Sequence, residues 1–158
     1  MLTNFVSFKG FIKKRKSKSL QKYLKELINS EDEVITSLTN EYKYSYTKNF
    51  LKKFKKFKFI RIFGMGGSSL GAHGIYDFLK HKIKKDFFFI SNLKHRGFYP
   101  KKKYLNLIIS KSGNTLETIV NSNIYINKKE KNIFITENKK SILKDIGLKL
   151  KNEIINHN

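Results

Sequence analysis

Two short segments rich in glycine and hydroxyl side chains each follow an apolar run and precede a helical pattern. The first is Gly64–Ser69, after Phe59–Phe63, and the second is Ser110–Thr115, after Tyr104–Ile109. Glycine permits positive φ and lets backbone N–H groups approach a ligand closely, while hydroxyls donate hydrogen bonds. The N-terminus of a helix adds free N–H groups and a dipole that favours negative charge. Each segment is therefore a candidate anion-binding loop.

The pattern around these loops indicates an α/β fold. From residue 58 onward we predict strands at 58–63, 86–91, 104–109 and 131–136, helices at about 69–81, 115–127 and 139–151, and a loop at 92–103. The apolar runs do not alternate with polar residues, which is typical of buried parallel strands. Strands that alternate with helices predict a three-layer αβα sandwich, with a doubly wound parallel sheet in the flavodoxin-like order 2-1-3-4.

This strand order brings the two loops together. Strands 1 and 3 are neighbours, and ligands bind at the carboxyl edge where the winding reverses between them. The candidate phosphate ligands are Gly64, Gly66, Gly67, Ser68 and Ser69 in the first loop, and Ser110, Lys111, Ser112 and Thr115 in the second. Such a set suits one phosphate monoester, because the nucleotide triphosphate and dinucleotide glycine patterns are absent. The alternative is that both loops are tight turns without a ligand, and the pairing disfavours it. Asn114 and Glu117 are further predicted as the N-cap and third residue of the following helix.

The segment before residue 58 carries helical patterns and no strand pattern. Residues 1–16 are predicted as a solvated basic arm, 19–29 as an amphipathic helix and 41–56 as a further helix. Ser30 and Glu33 have the spacing of a capping box for a helix between these two. We predict two regions, an arm with helices at 1–57 and the α/β domain at 58–158.

The net charge of +22 raises the question of a polyanionic partner. Three of the 34 basic residues are arginine, the residue preferred for bidentate phosphate contacts, and 31 are lysine. The abundance of Lys, Asn, Ile, Phe and Tyr fits the codon bias of an AT-rich genome as well as it fits a polyanion partner. In Lys52–Phe57 lysines and phenylalanines are interleaved, and we favour inward packing of the rings over a nucleic-acid stacking surface. We therefore expect no nucleic-acid partner.

The composition also limits the possible cysteine chemistry and the cellular location of the protein. There are no cysteines, so disulfides and thiolate metal sites are excluded. No apolar run approaches the roughly 18 residues of a membrane span, and the start does not resemble a signal peptide. We expect a cytoplasmic protein without a membrane partner, a metal or a cofactor.

Four segments resemble the phosphoglucose isomerase family. Gly64–Ala72 resembles its first signature, Ile109–Thr118 resembles its second phosphate-binding segment, and Phe89–Asn92 and Ile135–Asn138 are similar to segments that close its strands. In that family both loops belong to a sugar isomerase (SIS) domain, a five-stranded parallel αβα sandwich that binds phosphosugars. The resemblance covers about 58–140.

The resemblance also implies roles for individual residues. The hydroxyls of Ser110, Ser112 and Thr115 would hold the substrate phosphate, with the backbone of Lys111 nearby. Gly66, Gly67 and Ser68 would contact the sugar phosphate from the other side. A hexose 6-phosphate and a homodimer are the partners that the family implies.

The catalytic residues that the family implies are not found in this sequence. Isomerisation of glucose 6-phosphate to fructose 6-phosphate through a cis-enediol needs a base, a ring-opening group and a cation near the developing oxyanion. The family places these after its first SIS domain, and we expect them beyond residue 158. His73, His81, His95, His157 and Glu117 are local candidates, and we expect none to be catalytic. The chain alone is predicted to be inactive. A phosphosugar-sensing module and a single-domain aldose–ketose isomerase that works as an oligomer remain alternatives.

Overall fold

The computed structural model describes residues 18–30, 32–40, 42–93 and 102–157, and all structural statements below concern these residues. The predictions for the basic arm, for His95 and for most of the loop at 92–103 lie outside the described residues. The chain divides into two compact units, Met1–Lys43 and Tyr44–Asn158.

The first unit contains helices α1 (Lys18–Ile28) and α2 (Glu33–Ser37). Helix α1 confirms the amphipathic pattern predicted for this segment. The predicted capping box is wrong, because Asp32 is the N-cap of α2 and its carboxylate accepts a hydrogen bond from the N–H of Val34 at 2.8 Å. Asp32 binds one of the free N–H groups of the first turn, which is the role predicted for Ser30.

The second unit is built on one five-stranded parallel sheet. Its strands are β1 (Phe59–Phe63), β2 (Asp86–Ile90), β3 (Tyr104–Ile109), β4 (Lys131–Glu137) and β5 (Glu153–His157), and its helices are α3 (Lys48–Lys52), α4 (Gly67–Leu79), α5 (Leu116–Tyr125) and α6 (Ile142–Lys149). The strand order is β2-β1-β3-β4-β5, with every pair parallel. This confirms the predicted α/β class and the order 2-1-3-4. The sheet also has the fifth strand that the family resemblance implied, which the apolar pattern did not locate.

Apolar side chains cover both faces of the sheet, which makes the unit a three-layer sandwich. Ile60, Ile62, Leu105 and Ile133 share one face with Phe54 and Phe57 from the segment before β1. On the same face, the Tyr76 ring of α4 lies 5.0 Å from the Phe87 ring of β2. The other face is formed by residues of the strands that pack against α5 and α6, namely Phe63, Ile90, Ile108 and Phe134 with Leu143.

The segment before β1 differs from the prediction. Within the described residues 42–56 only Lys48–Lys52 is helical, after an N-cap at Thr47, so the helix predicted at 41–56 is much too long. Phe54 and Phe57 are buried against the sheet, which confirms that the rings between the lysines pack inward. The predicted boundary between residues 57 and 58 stays a prediction. In the described part of the chain, no helix is long and apolar enough to cross a membrane.

One arginine is buried within the sheet. Arg61 of β1 donates to the amide oxygen of Asn106 on β3 at 2.9 Å and forms an ion pair with Glu130. The Asn106 amide nitrogen also donates to Glu130, at 2.9 Å. The guanidinium carbon lies 4.1 Å from the centroid of the Tyr104 ring. The charge is therefore paired and hydrogen-bonded, as a buried arginine requires.

Candidate functional site

The first loop begins against the last residue of the neighbouring strand β3. A Cβ atom built on Gly64 would lie 3.2 Å from the carbonyl oxygen of Ile109, the residue that precedes the second loop. The strands themselves are paired, with Phe63 opposite Ile108. The structure therefore brings the starts of the two predicted loops together at one edge of the sheet. A side chain at position 64 would require Ile109 or Ser68 to shift by a few tenths of an ångström.

The second loop is closed by its own side chains. The hydroxyl oxygens of Ser110 and Thr115 lie 2.9 Å apart, at hydrogen-bond distance. The N–H of Gly113 donates to the Ser110 hydroxyl at 3.1 Å. Ser110 is buried, with 2% of its surface exposed, and Thr115 is half-buried. Two of the three predicted phosphate hydroxyls are thus held side by side.

Gly113 fixes this loop against the start of α6. Its φ is +65°, in the region that favours glycine. A Cβ atom at this position would lie 2.2 Å from the hydroxyl oxygen of Ser141 and 2.7 Å from that of Thr136. The Gly113 carbonyl accepts a hydrogen bond from the N–H of Leu143 at 3.0 Å. Only glycine fits here without displacing its neighbours.

Both helices that follow the loops begin without a side-chain cap. The residue before α4 is Gly66 (φ +50°), and the residue before α5 is Thr115, whose side chain makes no capping hydrogen bond. In contrast, α2, α3 and α6 are capped by Asp32, Thr47 and Ser141. In α5 no side-chain cap binds the N–H groups of the first turn, as an anion site requires. In α4 the N–H groups of Ser68 and Ser69 already donate to the backbone carbonyls of Met65 and Gly66, at 3.0 and 3.1 Å.

The cap predicted at Asn114 and Glu117 is wrong. Thr115 occupies the N-cap position and Leu116 is the first helical residue. The side-chain oxygen of Asn114 instead accepts a hydrogen bond from the N–H of Ile142 at 3.1 Å. Asn114 therefore binds the start of α6 and does not cap its own helix.

The residues of the first loop differ in exposure. Gly66 and Gly67 are exposed, and a Cβ atom at either position would meet no atom within 4 Å. Ser68 is half-buried. Ser69 is buried, with its hydroxyl 3.5 Å from the carbonyl oxygen of Gly66. Gly66, Gly67 and Ser68 thus leave open space on the outer side of the loop, where a ligand could approach the backbone.

Lys111 and Ser112 lie at the exposed end of the second loop. The Lys111 ammonium is 3.7 Å from a carboxylate oxygen of Glu137, and that carboxylate also binds Lys139 at 2.9 Å. The hydrogen bond from Lys139, more than any other contact, lowers the pKa of Glu137 below its ordinary value. The Ser112 hydroxyl accepts from the N–H of Asn114 at 3.2 Å. The Lys111 side chain thus already has an anionic partner.

Thr118 is a residue of this region that the sequence analysis did not select. It lies in the first turn of α5, three residues after Thr115, so the two share a helical face. Its side chain is buried with 1% exposed, and its hydroxyl has no hydrogen-bond partner in the described part of the chain. Its spacing of three residues from Thr115 could have predicted that it lies on the same helical face, but a threonine in a helix interior usually has only a packing role.

The three histidines that the structure describes are exposed. His73 is exposed on α4, where its ring stacks on Phe89 at 4.3 Å and its Nε2 lies 3.4 Å from a carboxylate oxygen of Asp77. His81 and His157 are exposed at other points of the unit. These placements fit packing and surface roles. Glu117 is half-buried in the first turn of α5.

Comparison with known proteins points to one enzyme. No protein-family model matches the chain. A glucose-6-phosphate isomerase of Borrelia garinii is 40% identical over 90 residues, which cover 49% of this chain and 17% of that enzyme. The glucose-6-phosphate isomerase of Borreliella afzelii is 37% identical over 113 residues, covering 64% of this chain and 21% of the enzyme. The chain resembles part of a glucose-6-phosphate isomerase.

This likeness confirms the resemblance read from the two loops. The alignments span about a fifth of the glucose-6-phosphate isomerases concerned. A solved structure, hypothetical protein TT0462 from Thermus thermophilus, superposes with a TM-score of 0.58 at 17% identity, covering 69% of this chain and 30% of that protein. At that identity the superposition supports the α/β fold alone.

Proposed function

We propose that this chain is the phosphosugar-binding part of a glucose-6-phosphate isomerase. The observation that carries the proposal is the pair Ser110 and Thr115, whose hydroxyls lie 2.9 Å apart on a loop that begins next to the Gly64 loop. Two uncapped helix N-termini follow these loops at the same edge of the sheet. A phosphate dianion is the ligand that such donors favour.

The proposed roles follow from exposure and hydrogen bonding. Ser110, Ser112 and Thr115 donate hydroxyl hydrogen bonds to the phosphate oxygens, and the hydrogen bond between Ser110 and Thr115 breaks when the phosphate binds, because each hydroxyl has a single proton. The Lys111 backbone N–H lies on the same loop. Thr118, a buried hydroxyl without a partner in the described part, offers a further donor from the first turn of α5. Gly66, Gly67 and Ser68 approach the ligand from the first loop.

The proposed substrate is a hexose 6-phosphate, and the proposed reaction is the transfer of a proton between C1 and C2 through a cis-enediol. The phosphate site fixes the substrate at its non-reacting end, which contributes orientation and no chemistry. His73 pairs with Asp77 and stacks on Phe89, and we infer that the base and the ring-opening group come from elsewhere. The chain alone is therefore proposed to bind substrate weakly and not to turn it over, and the working enzyme is proposed to be a cytoplasmic homodimer.

Binding measurements test the site. Glucose 6-phosphate should bind more tightly than glucose, and the variants Ser110→Ala and Thr115→Val should each weaken binding by about tenfold, the value of one lost hydrogen bond to a charged group. Ser122→Ala is the matched control, since Ser122 is also buried but donates to the Ile119 carbonyl within α5. Equal binding of glucose and glucose 6-phosphate would contradict the phosphate site.

A coupled isomerase assay tests the second part of the proposal. The isolated chain should show no turnover above that of the double variant Ser110→Ala, Thr115→Ala. Turnover that depends on these hydroxyls would refute inactivity in isolation and would favour a single-domain isomerase. Measurement of the oligomeric state would then show whether a second copy supplies the base.

A further inference from the structure

The lysines of the second unit are concentrated at one edge of the sheet. In the described loops that lead into the strands at the amino edge, 13 of 22 residues are lysine (53–58, 80–85, 102–103, 126–130 and 150–152). In the described loops that leave the carboxyl edge, where the phosphosugar site lies, 3 of 16 are lysine (64–66, 91–93, 110–115 and 138–141). The amino-edge loops are called the lysine rim below.

Neither composition nor helix dipoles account for the unequal lysine content of the two edges. A codon bias toward lysine acts on every loop and would not distinguish the two edges. Helix C-termini lie at the amino edge and favour cations, but that effect is confined to the last turn. Lys55, Lys56 and Lys103 lie beyond the last turn of any described helix. Glu130 is the single acidic residue of the described rim loops, and it is paired with Arg61.

The loops of the rim adjoin one another. The Lys85 ammonium donates to the carbonyl oxygen of Lys55 at 2.7 Å and also to that of Phe57, which joins the loops before β2 and β1. The Lys102 ammonium lies 4.1 Å from the centroid of the Phe59 ring, which joins the loop before β3. Lysines of three neighbouring strands thus form one continuous basic surface.

A groove crosses this surface between the loops before β1 and β3. It has a volume of about 310 Å³ and is lined by Lys56, Phe57, Lys58, Phe59 and Lys103. Five strands at about 4.8 Å spacing make the edge roughly 19 Å wide. Along the axis of a duplex, that width spans about six phosphates of one strand at about 3.4 Å each.

Contrary to the expectation from composition, we propose that the lysine rim binds the phosphodiester backbone of a nucleic acid without reading its sequence. A groove lined by three lysines admits one phosphodiester backbone, whereas a flat bilayer cannot enter it. The rings of Phe54 and Phe57 are buried, so the rim presents them neither to a membrane nor to bases. Charge alone supplies the attraction, and lysine is suited to it as a point charge. This surface is separate from the phosphosugar site and does not depend on it.

Paired charge reversals test the inference. The rim variant Lys56→Glu, Lys103→Glu is compared with the carboxyl-edge variant Lys139→Glu, Lys140→Glu, because both change the net charge by the same amount and all four residues are exposed. Binding of a fluorescent single strand of mixed sequence, about 20 nucleotides long, is measured by anisotropy between about 50 and 200 mM salt. Circular dichroism and urea unfolding report whether each variant is folded.

The rim variant should lose at least about tenfold in affinity, and its slope of log K against log salt should fall by about 1.5, as expected when two phosphate contacts are lost. The control should change by less than about threefold. Equal losses of oligonucleotide affinity in the two variants would show that binding depends on net charge alone and would overturn the proposal. Binding to vesicles of anionic lipid without binding to the oligonucleotide would also overturn it.

Discussion

Replacement of Gly113 by alanine tests how rigidly the second loop is held. The φ of +65° costs a non-glycine residue about 1–2 kcal/mol. The new Cβ would lie 2.2 Å from the Ser141 hydroxyl oxygen, so Ser141 must move and α6 loses its N-cap, at about 1 kcal/mol. The contact with Thr136 at 2.7 Å adds further strain. We expect the free energy of unfolding to fall by about 2–4 kcal/mol.

Two further variants make this prediction specific. Gly71→Ala makes the same chemical change inside α4, where an added Cβ meets nothing within 4 Å, and it should stabilise the chain by about 1 kcal/mol. Ser141→Gly removes the closest contact of the methyl group that Gly113→Ala introduces. In that background the cost of Gly113→Ala should fall by about 1 kcal/mol, and the cost of positive φ should remain.

Urea unfolding followed by tyrosine fluorescence provides the measurement, since the chain has no tryptophan. Glucose 6-phosphate binding is measured in parallel, and it should weaken in the Gly113 variant and stay unchanged in the Gly71 variant. A loss of less than about 1 kcal/mol for Gly113→Ala, or the same loss in both Ser141 backgrounds, would refute the reasoning from backbone geometry and side-chain contact.

Three other predictions concern buried or paired polar groups. Thr118→Val keeps the shape of the side chain but removes an unpaired hydroxyl, so it should leave stability unchanged or raise it while weakening glucose 6-phosphate binding. Arg61→Met leaves Glu130 and Asn106 without their guanidinium partner and should lower the free energy of unfolding in urea by about 3–5 kcal/mol. Part of this loss should be recovered when Glu130 is also replaced by glutamine. The pKa of Glu137 is lowered from its ordinary value of 4.5, so the ionised carboxylate stabilises the fold at pH values above 4.5. This stabilisation is lost as the pH falls through the pKa of the folded state. Glu137→Gln should therefore flatten the acid limb of the stability profile.

Strand order was predictable because the apolar runs are dense and the glycine loops follow two of them. Strand β5 was missed, since Glu153–His157 is short and ends in polar residues, yet it pairs in full along β4. The helix predicted at 41–56 failed for a different reason. Beyond Lys52 the chain leaves the helix, and Phe54 and Phe57 pack with Ile60 and Ile62 instead. Tertiary packing overrides local periodicity there, and a local pattern does not contain that information.

The wrong cap at α5 shows how the site is encoded. Local rules predicted Asn114 as the N-cap because an asparagine followed three residues later by a glutamate normally binds the free N–H groups at a helix start. In the structure Asn114 binds α6 and Thr115 faces Ser110, so α5 is left without a side-chain cap. At α4 the N–H groups of the first turn donate to backbone carbonyls instead. Helices α2, α3 and α6 obey the capping rule, and it fails at α5, where a phosphate would supply the missing acceptor. A failed local rule at the start of α5 is therefore an argument for the ligand.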